Sequence, residues 1–296
     1  MMEWQTKLIM LYCTVCDEYS TIEWKVQRLS NNFRPQFLDE ECITVYLWGI
    51  LKRRFELRAI YDYTKEHLLD WFPSLPSYQA FCYRLNRLAP AFQDIAEHWM
   101  DRLSEISDSE MKYLVDSCPI ILAKQKRSSH AKVAPEICDK GYNSSRDEYF
   151  YGVKLHAFAA HHAGRLPTAC AMMVSHASDH DLPVARKIMD ACTPFFGGIL
   201  FADKAYIDDE WKNHLAEAFG VSLHTPRKQK KDDFLRGADA FSSLISASRQ
   251  QIECFFNWLN ATTNIQIASK VRSTAGLLVH IFGRIAAAFF SRLVNS

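Results

Sequence analysis

Residues 197–208 read GGILFADKAYID. Two glycines lead into a compact apolar run, Ile199 to Ala202, short enough for a buried strand, and the run stops on Asp203. Residues 113–120, YLVDSCPI, repeat the pattern: Tyr113, Leu114 and Val115 close on Asp116. A carboxylate beside a buried run costs on the order of several kcal/mol unless something compensates it, and Lys204 is the obvious local partner. If the two strands are neighbours, both aspartates converge. Two carboxylates about 4 Å apart repel by roughly 4 kcal/mol at an effective dielectric near 20. A divalent cation turns that repulsion into a binding site.

The rest of the chain falls into two textures. Residues 1 to about 105 carry helical periodicity and almost no strand signal. A helix capped by Asp39 is expected to run to about Phe55, a second from about Glu56 to Trp71, and a third, SYQAFCYRLNRL, after the turn FPSLPS. In the third, Phe81, Leu85 and Leu88 repeat at helical spacing, while Arg84 and Arg87 share an outer flank, the layout of a helix-turn-helix that contacts DNA. From residue 106 onward, strands appear. After YLVDSC come YFYGVKLHAFAA (149–160) and LPTACAMMVS (166–175), joined by the turn signal HHAGR. Then follow the helix DHDLPVARKIMDAC, the strand GGILFAD, the helix DDEWKNHLAEAFG and the strand VSLHTP. This order predicts a mixed five-stranded sheet flanked by helices: an antiparallel meander of three strands, then two strands entering by helical crossovers. The expected domains are an all-helical region over 1–105 and an α/β domain over 106–296.

Composition narrows the class. With 35 Lys plus Arg against 34 Asp plus Glu, the formal charge is +1, so any polyanion site must be local rather than spread over the surface. Basic clusters lie at Lys124, Lys126 and Arg127 and at Arg227, Lys228, Lys230 and Lys231. Nine scattered cysteines, no signal peptide and no uninterrupted apolar span of about 20 residues point to a reduced, cytoplasmic protein without a membrane partner. Cys13 and Cys16 have zinc-like spacing but no matching downstream pair, and are expected on one face of the first helix. The apolar run near the C-terminus is interrupted by His280, Arg284 and Arg292, as in a packed amphipathic helix.

A third acidic group comes from RQQIECFFNWLN. Ile252, Phe255, Phe256 and Leu259 form a core-facing stripe. At about 100° per residue from Ile252, Arg249 falls near 60°, Asn260 near 80° and Glu253 near 100°, so all three line the edge of the buried face. Lys154 and His156 are two apart on one strand and share a face, where they would flank phosphates at a cleft wall. Lys204 and Tyr206 follow Asp203 and are candidates for positioning a phosphate or the backbone. His180 and Asp181 are read as caps of the next helix.

Taken in order, VDSCPI, EYFYGVKLHAF, HASDHDLP, FADKAY and RQQIECFFNWL resemble the DDE-type transposases of bacterial insertion sequences, over about residues 110 to 290 and more loosely over the helical region. The resemblance implies an RNase H-like fold in which Asp116, Asp203 and Glu253 are the catalytic triad and hold two Mg²⁺ ions, with Mn²⁺ able to substitute. It also implies that Arg249 matches the arginine four residues before the family's glutamate. Two positions depart: Ser246 replaces the signature tyrosine and Asn260 its lysine.

The implied activity is metal-dependent cleavage of DNA ends and 3′-OH strand transfer of the chain's own element. Its partners are the terminal inverted repeats, target DNA and further copies of the chain on DNA. DNA contacts are expected from Arg249, Lys154, His156, Lys204, Arg84 and Arg87. Two other readings stay open: an RNase H-like nuclease without strand transfer, and an inactive, domesticated DNA-binding protein.

Overall fold

The computed structural model describes residues 3–26, 35–106, 110–143, 146–227 and 240–295. Of the second basic cluster, Lys228, Lys230 and Lys231 lie outside the described residues. The chain forms two compact units: Met1–Trp99 with Lys132–Glu136 and Leu259–Ser296, and Met100–Ala131 with Ile137–Trp258. Where the sequence suggested one boundary near residue 105, the C-terminal helix groups with the N-terminal helices.

The helical unit is built on α1 (Trp4–Val26), α2 (Asp39–Leu51), α3 (Leu57–His67), α4 (Tyr78–Arg87), most of α5 (Ala89–Glu105) and α9 (Thr274–Asn295). α2 is apolar on every side and buries each residue from Cys42 to Ile50, as a central helix must. In α9, an 18-residue window is apolar enough to cross a membrane, yet 72% of it is buried. Its buried polar residues reach backbone carbonyls. His280 Nε2 lies 2.8 Å from the Ile265 carbonyl oxygen. Arg284 Nη2 donates to the Phe55 carbonyl at 2.6 Å and Nη1 to that of Thr263. Cys13 is exposed and Cys16 half-buried on α1, both as free thiols.

Two expectations change here. Asp39 does not cap α2: Leu38 holds the cap position, and its N–H donates to Glu41 Oε2 at 2.5 Å. Asp39 instead receives the phenol of Tyr19 at 2.9 Å, Nε of Arg84 at 2.5 Å and Nη2 of Arg87. Arg84 is only 4% exposed. The two arginines expected to face DNA are thus turned inward, because one carboxylate buried between three helices demands their charge. Burial pushes the Asp39 carboxyl up, and the bonds and charges of Arg87 and Arg84 more than offset this, leaving it below the usual range.

The second unit holds a mixed sheet of β1 (Lys112–Lys124), β2 (Asp139–Asn143), β3 (Glu148–Ala160), β4 (Thr168–His176), β5 (Gly198–Phe201) and β6 (Val221–His224). Among the described residues the sheet has six strands rather than five. The strand order is β2-β3-β1-β5-β6, with β4 also paired to β3. β3 is long enough to take two partners along one edge: β2 pairs with its residues 148–152 and β4 with 153–160. β1, β3 and β4 form the expected antiparallel meander, while β5 and β6 add in parallel. α6 (Asp181–Cys192) and α7 (Asp209–Phe219) make the crossovers, and α8 (Ala240–Thr263) follows β6. Ile188, Leu200, Trp211 and Leu215 join the sheet to α6 and α7 in one core.

The glycines of GGILFAD are required by geometry. Gly198 has φ +90, and a Cβ there would lie 2.1 Å from the Met111 carbonyl oxygen, so only glycine lets the chain enter β5 beside β1.

Candidate active site

Asp116 does not end its strand: β1 continues to Lys124, and Asp116 pairs with Ala157 of β3. On the other side β1 runs parallel to β5, with Leu114 opposite Phe201. Continuing that register by two residues brings Asp203 alongside Asp116, just where β5 has given way to a 3₁₀ turn, Lys204–Tyr206. Asp203 caps this turn, accepting the Ala205 N–H at 2.6 Å. Both carboxylates therefore stand at the end of one parallel strand pair, the crevice where open α/β sheets bind ligands.

Arg249 comes to them from α8. Its Nη2 is 3.4 Å from Asp116 Oδ2 and 4.0 Å from Asp203 Oδ2. The expected stripe of Ile252, Phe255, Phe256 and Leu259 is buried, which sets this face of the helix. Glu253, one turn after Arg249, is exposed. Among the described residues no three His, Cys, Asp or Glu side chains come close enough to hold a metal ion.

Burial pushes the Asp116 carboxyl up to about 6; the Ser117 N–H and Arg249 act against this, and the negative charges of Asp203 and Asp181 add to it. The site thus holds a carboxylate in surroundings that disfavour its charge, chiefly because it is buried. Carboxylate oxygens are donors of the kind a hard divalent cation takes, and Arg249 is the cation that faces these two here.

Other candidate residues take different places. Lys154 Nζ donates to Asp181 Oδ1 at 3.0 Å and to the Asp179 carbonyl at 2.8 Å, so its charge is committed. His156 is 1% exposed, with Nε2 2.9 Å from Ser175 Oγ. Burial lowers its pKa to about 4, against the pull of Asp181. It is a neutral core ring, not a phosphate-facing cation. Lys204 is exposed beside Asp203.

The sequence of residues 107–273, more than half of the chain, matches the family described as Transposase DDE domain. The chain belongs to this family. No curated protein matches it. The transposase domain accordingly has the RNase H-like arrangement: a mixed sheet with helices on its faces, and two acidic residues just beyond the point where the parallel pairing of β1 and β5 stops.

Asp181 of the transposase domain also has surroundings that sequence reasoning did not anticipate. Asp181, read as a helix cap, lies in the first turn of α6, but its carboxylate accepts Ser117 Oγ at 3.1 Å as well as Lys154. His180 holds the cap position and makes no side-chain capping bond. Tyr206 is fully buried near the same charges, and its hydroxyl has no hydrogen-bond partner among the described residues. Burial, then the charges of Asp181, Asp116 and Asp203, hold its phenol well above the usual range. The sole prior signal was proximity, since Tyr206 follows Asp203 by three residues.

Proposed function

We propose that this chain is the transposase of an insertion sequence: it cuts DNA at the ends of its own element and joins the freed 3′-OH to target DNA. Asp116, Asp203 and Glu253 would be the catalytic carboxylates and the ligands of two Mg²⁺ ions, with Mn²⁺ able to replace them. The observation that carries this reading is that Arg249 reaches both Asp116 and Asp203, each two residues beyond the last paired positions of β1 and β5.

Each residue has a part that follows from its surroundings. Bound metal would supply an activated water or 3′-hydroxyl and a stabilised leaving oxygen. Asp116 offers a carboxylate whose burial makes any added positive charge favourable. Arg249, already between the two aspartates, would pass part of its charge to a DNA phosphate once a stronger cation is seated. Lys204, exposed beside Asp203, would meet the DNA backbone there. Lys154 acts on Asp181 and so fixes the start of α6 against the sheet. His156 supports that strand from within. The helical region of residues 1–105 would recognise the terminal inverted repeats, residues 106–296 would perform the chemistry, and the active form would be an oligomer assembled on DNA in the cytoplasm.

The test uses a plasmid carrying the element with both of its ends. Purified protein with Mg²⁺ should release 3′-OH ends and insert them into a second DNA, and Asp116→Asn should do neither. Cleavage without joining, even of pre-cut ends, would replace the proposal with a nuclease. No cleavage with either metal would reject it.

A further inference from the structure

The helical unit contains a cavity of about 700 Å³ between the loop after α2, the start of α3, α4, and the segment from Asn264 to Gly276 that leads into α9. In a chain whose net charge is +1, its lining is strongly one-sided. Arg53, Arg54, Arg58, Lys270, Arg272 and Arg284 contribute to the wall, against a single carboxylate, Glu56. Arg58 is paired with Asp62, and Arg284 is bound to carbonyls at the base. Among the described residues Arg53 and Lys270 face no carboxylate, and Arg272 donates only to the carbonyls of Ser269 and Val271. At the floor, Arg284 is 3% exposed and lies beside the Tyr46 hydroxyl, and its Nε has no hydrogen-bond partner among the described residues. A buried guanidinium N–H left unpaired is costly unless a ligand or water completes it. The remaining walls mix aromatic and apolar side chains, Phe55, Tyr46 and Tyr78 among them, with polar ones such as Asn86, Asn264 and Ser273.

From this combination we infer that the cavity is a binding site for a DNA strand. Backbone phosphates would lie on Arg53, Lys270 and Arg272, and one unpaired nucleotide would enter toward Arg284. Cations at a rim read phosphates, while aromatic walls accept a base of any sequence by its face. The cavity lies within the range of roughly 300 to 1,000 Å³ usual for pockets that enclose small ligands. The inference rests on the DNA-acting reading of the chain, and it replaces Arg84 and Arg87 as the source of positive charge in this unit.

The experiment is an anisotropy titration of the full chain with a labelled single-stranded thymidine oligonucleotide, run in EDTA so that no chemistry occurs, at several salt concentrations. The variants are Arg53→Asn, Lys270→Gln and both together. Arg53 has φ +57, a conformation asparagine tolerates better than most residues, and Lys270 is exposed, so folding should survive; a thermal melt checks it. The double variant should bind about tenfold more weakly, with the salt slope reduced by about 1.4, or 0.7 per lost phosphate contact. An unchanged affinity and slope would overturn the inference. So would a variant effect confined to competition by inorganic phosphate, which would mean a free-anion site. Cleavage of element ends is measured separately in Mg²⁺: its absence beside an intact pocket effect rejects the transposase proposal alone.

Discussion

Arg249 and Asp116, 133 residues apart, meet at 3.4 Å, and the same guanidinium reaches Asp203 at 4.0 Å. One helix thereby supplies the charge that two strands lack. Replacing Arg249 by Gln should lower metal-free stability by about 1–3 kcal/mol, the cost of leaving a buried partner under-satisfied. Added Mg²⁺ should narrow the difference, because the metal takes over the guanidinium's electrostatic part. Thermal melts with and without Mg²⁺ check this; an equal deficit in both would mean that Arg249 is purely structural.

Asp116→Asn should behave in the opposite sense. Burial raises this carboxyl to about 6, above its ordinary value, so between about pH 4 and 6 the native state binds more protons than the unfolded one and stability falls as pH rises. Above that window the charged form costs the fold on the order of 2–3 kcal/mol. The variant should therefore melt higher than wild type at pH 8 without metal, while cleavage and joining are lost. Asp203→Asn and Glu253→Gln should abolish the same two steps with DNA binding spared.

His156 gives a pH dependence of the other sign. Its folded pKa is lowered to about 4, so below its unfolded value near 6.5 the unfolded chain gains a proton that the native state refuses. Its contribution to stability, up to roughly 3 kcal/mol, is present above pH 6.5 and is lost as pH falls toward 4. Urea melts between pH 4.5 and 8 should show this slope in wild type and a flatter one in His156→Gln.

Removing Arg87 or Arg84 should be severe for folding and mild for DNA. Each leaves Asp39 buried with a partner missing, a loss of about 3–5 kcal/mol for a broken buried pair. Arg87→Ala should lower the urea midpoint accordingly, and DNA affinity per folded molecule, measured below that midpoint, should stay within about twofold, the scale of a surface change.

The sheet was legible where strands are apolar runs punctuated by glycine or a turn, and the pairing of β1 with β5, which the sequence posed as the condition for the two aspartates to converge, is met. β2 was not, because DKGYN buries only Gly141 and owes its conformation to the edge that β3 offers. At the site, Asp116 and Asp203 announced themselves as carboxylates out of place in apolar surroundings. Asp181 looked ordinary, since an acid before LPVARKIM is what a helix start calls for; only the arrival of Ser117 and Lys154 gives it another task. Arg84 and Arg87 misled for a related reason: helical periodicity tells which residues share a flank, not whether another carboxylate, here Asp39, will reach it.

The two ladders that share one edge of β3 give that strand little freedom to vary. Slippage by one residue would have to break β2 and β4 together with β1, and it would swap the faces on which Lys154 and His156 stand. Length changes in related chains should then be excluded from residues 148–160 and gather in the connections around them. β3 serves as the ruler against which the rest of the sheet is measured out.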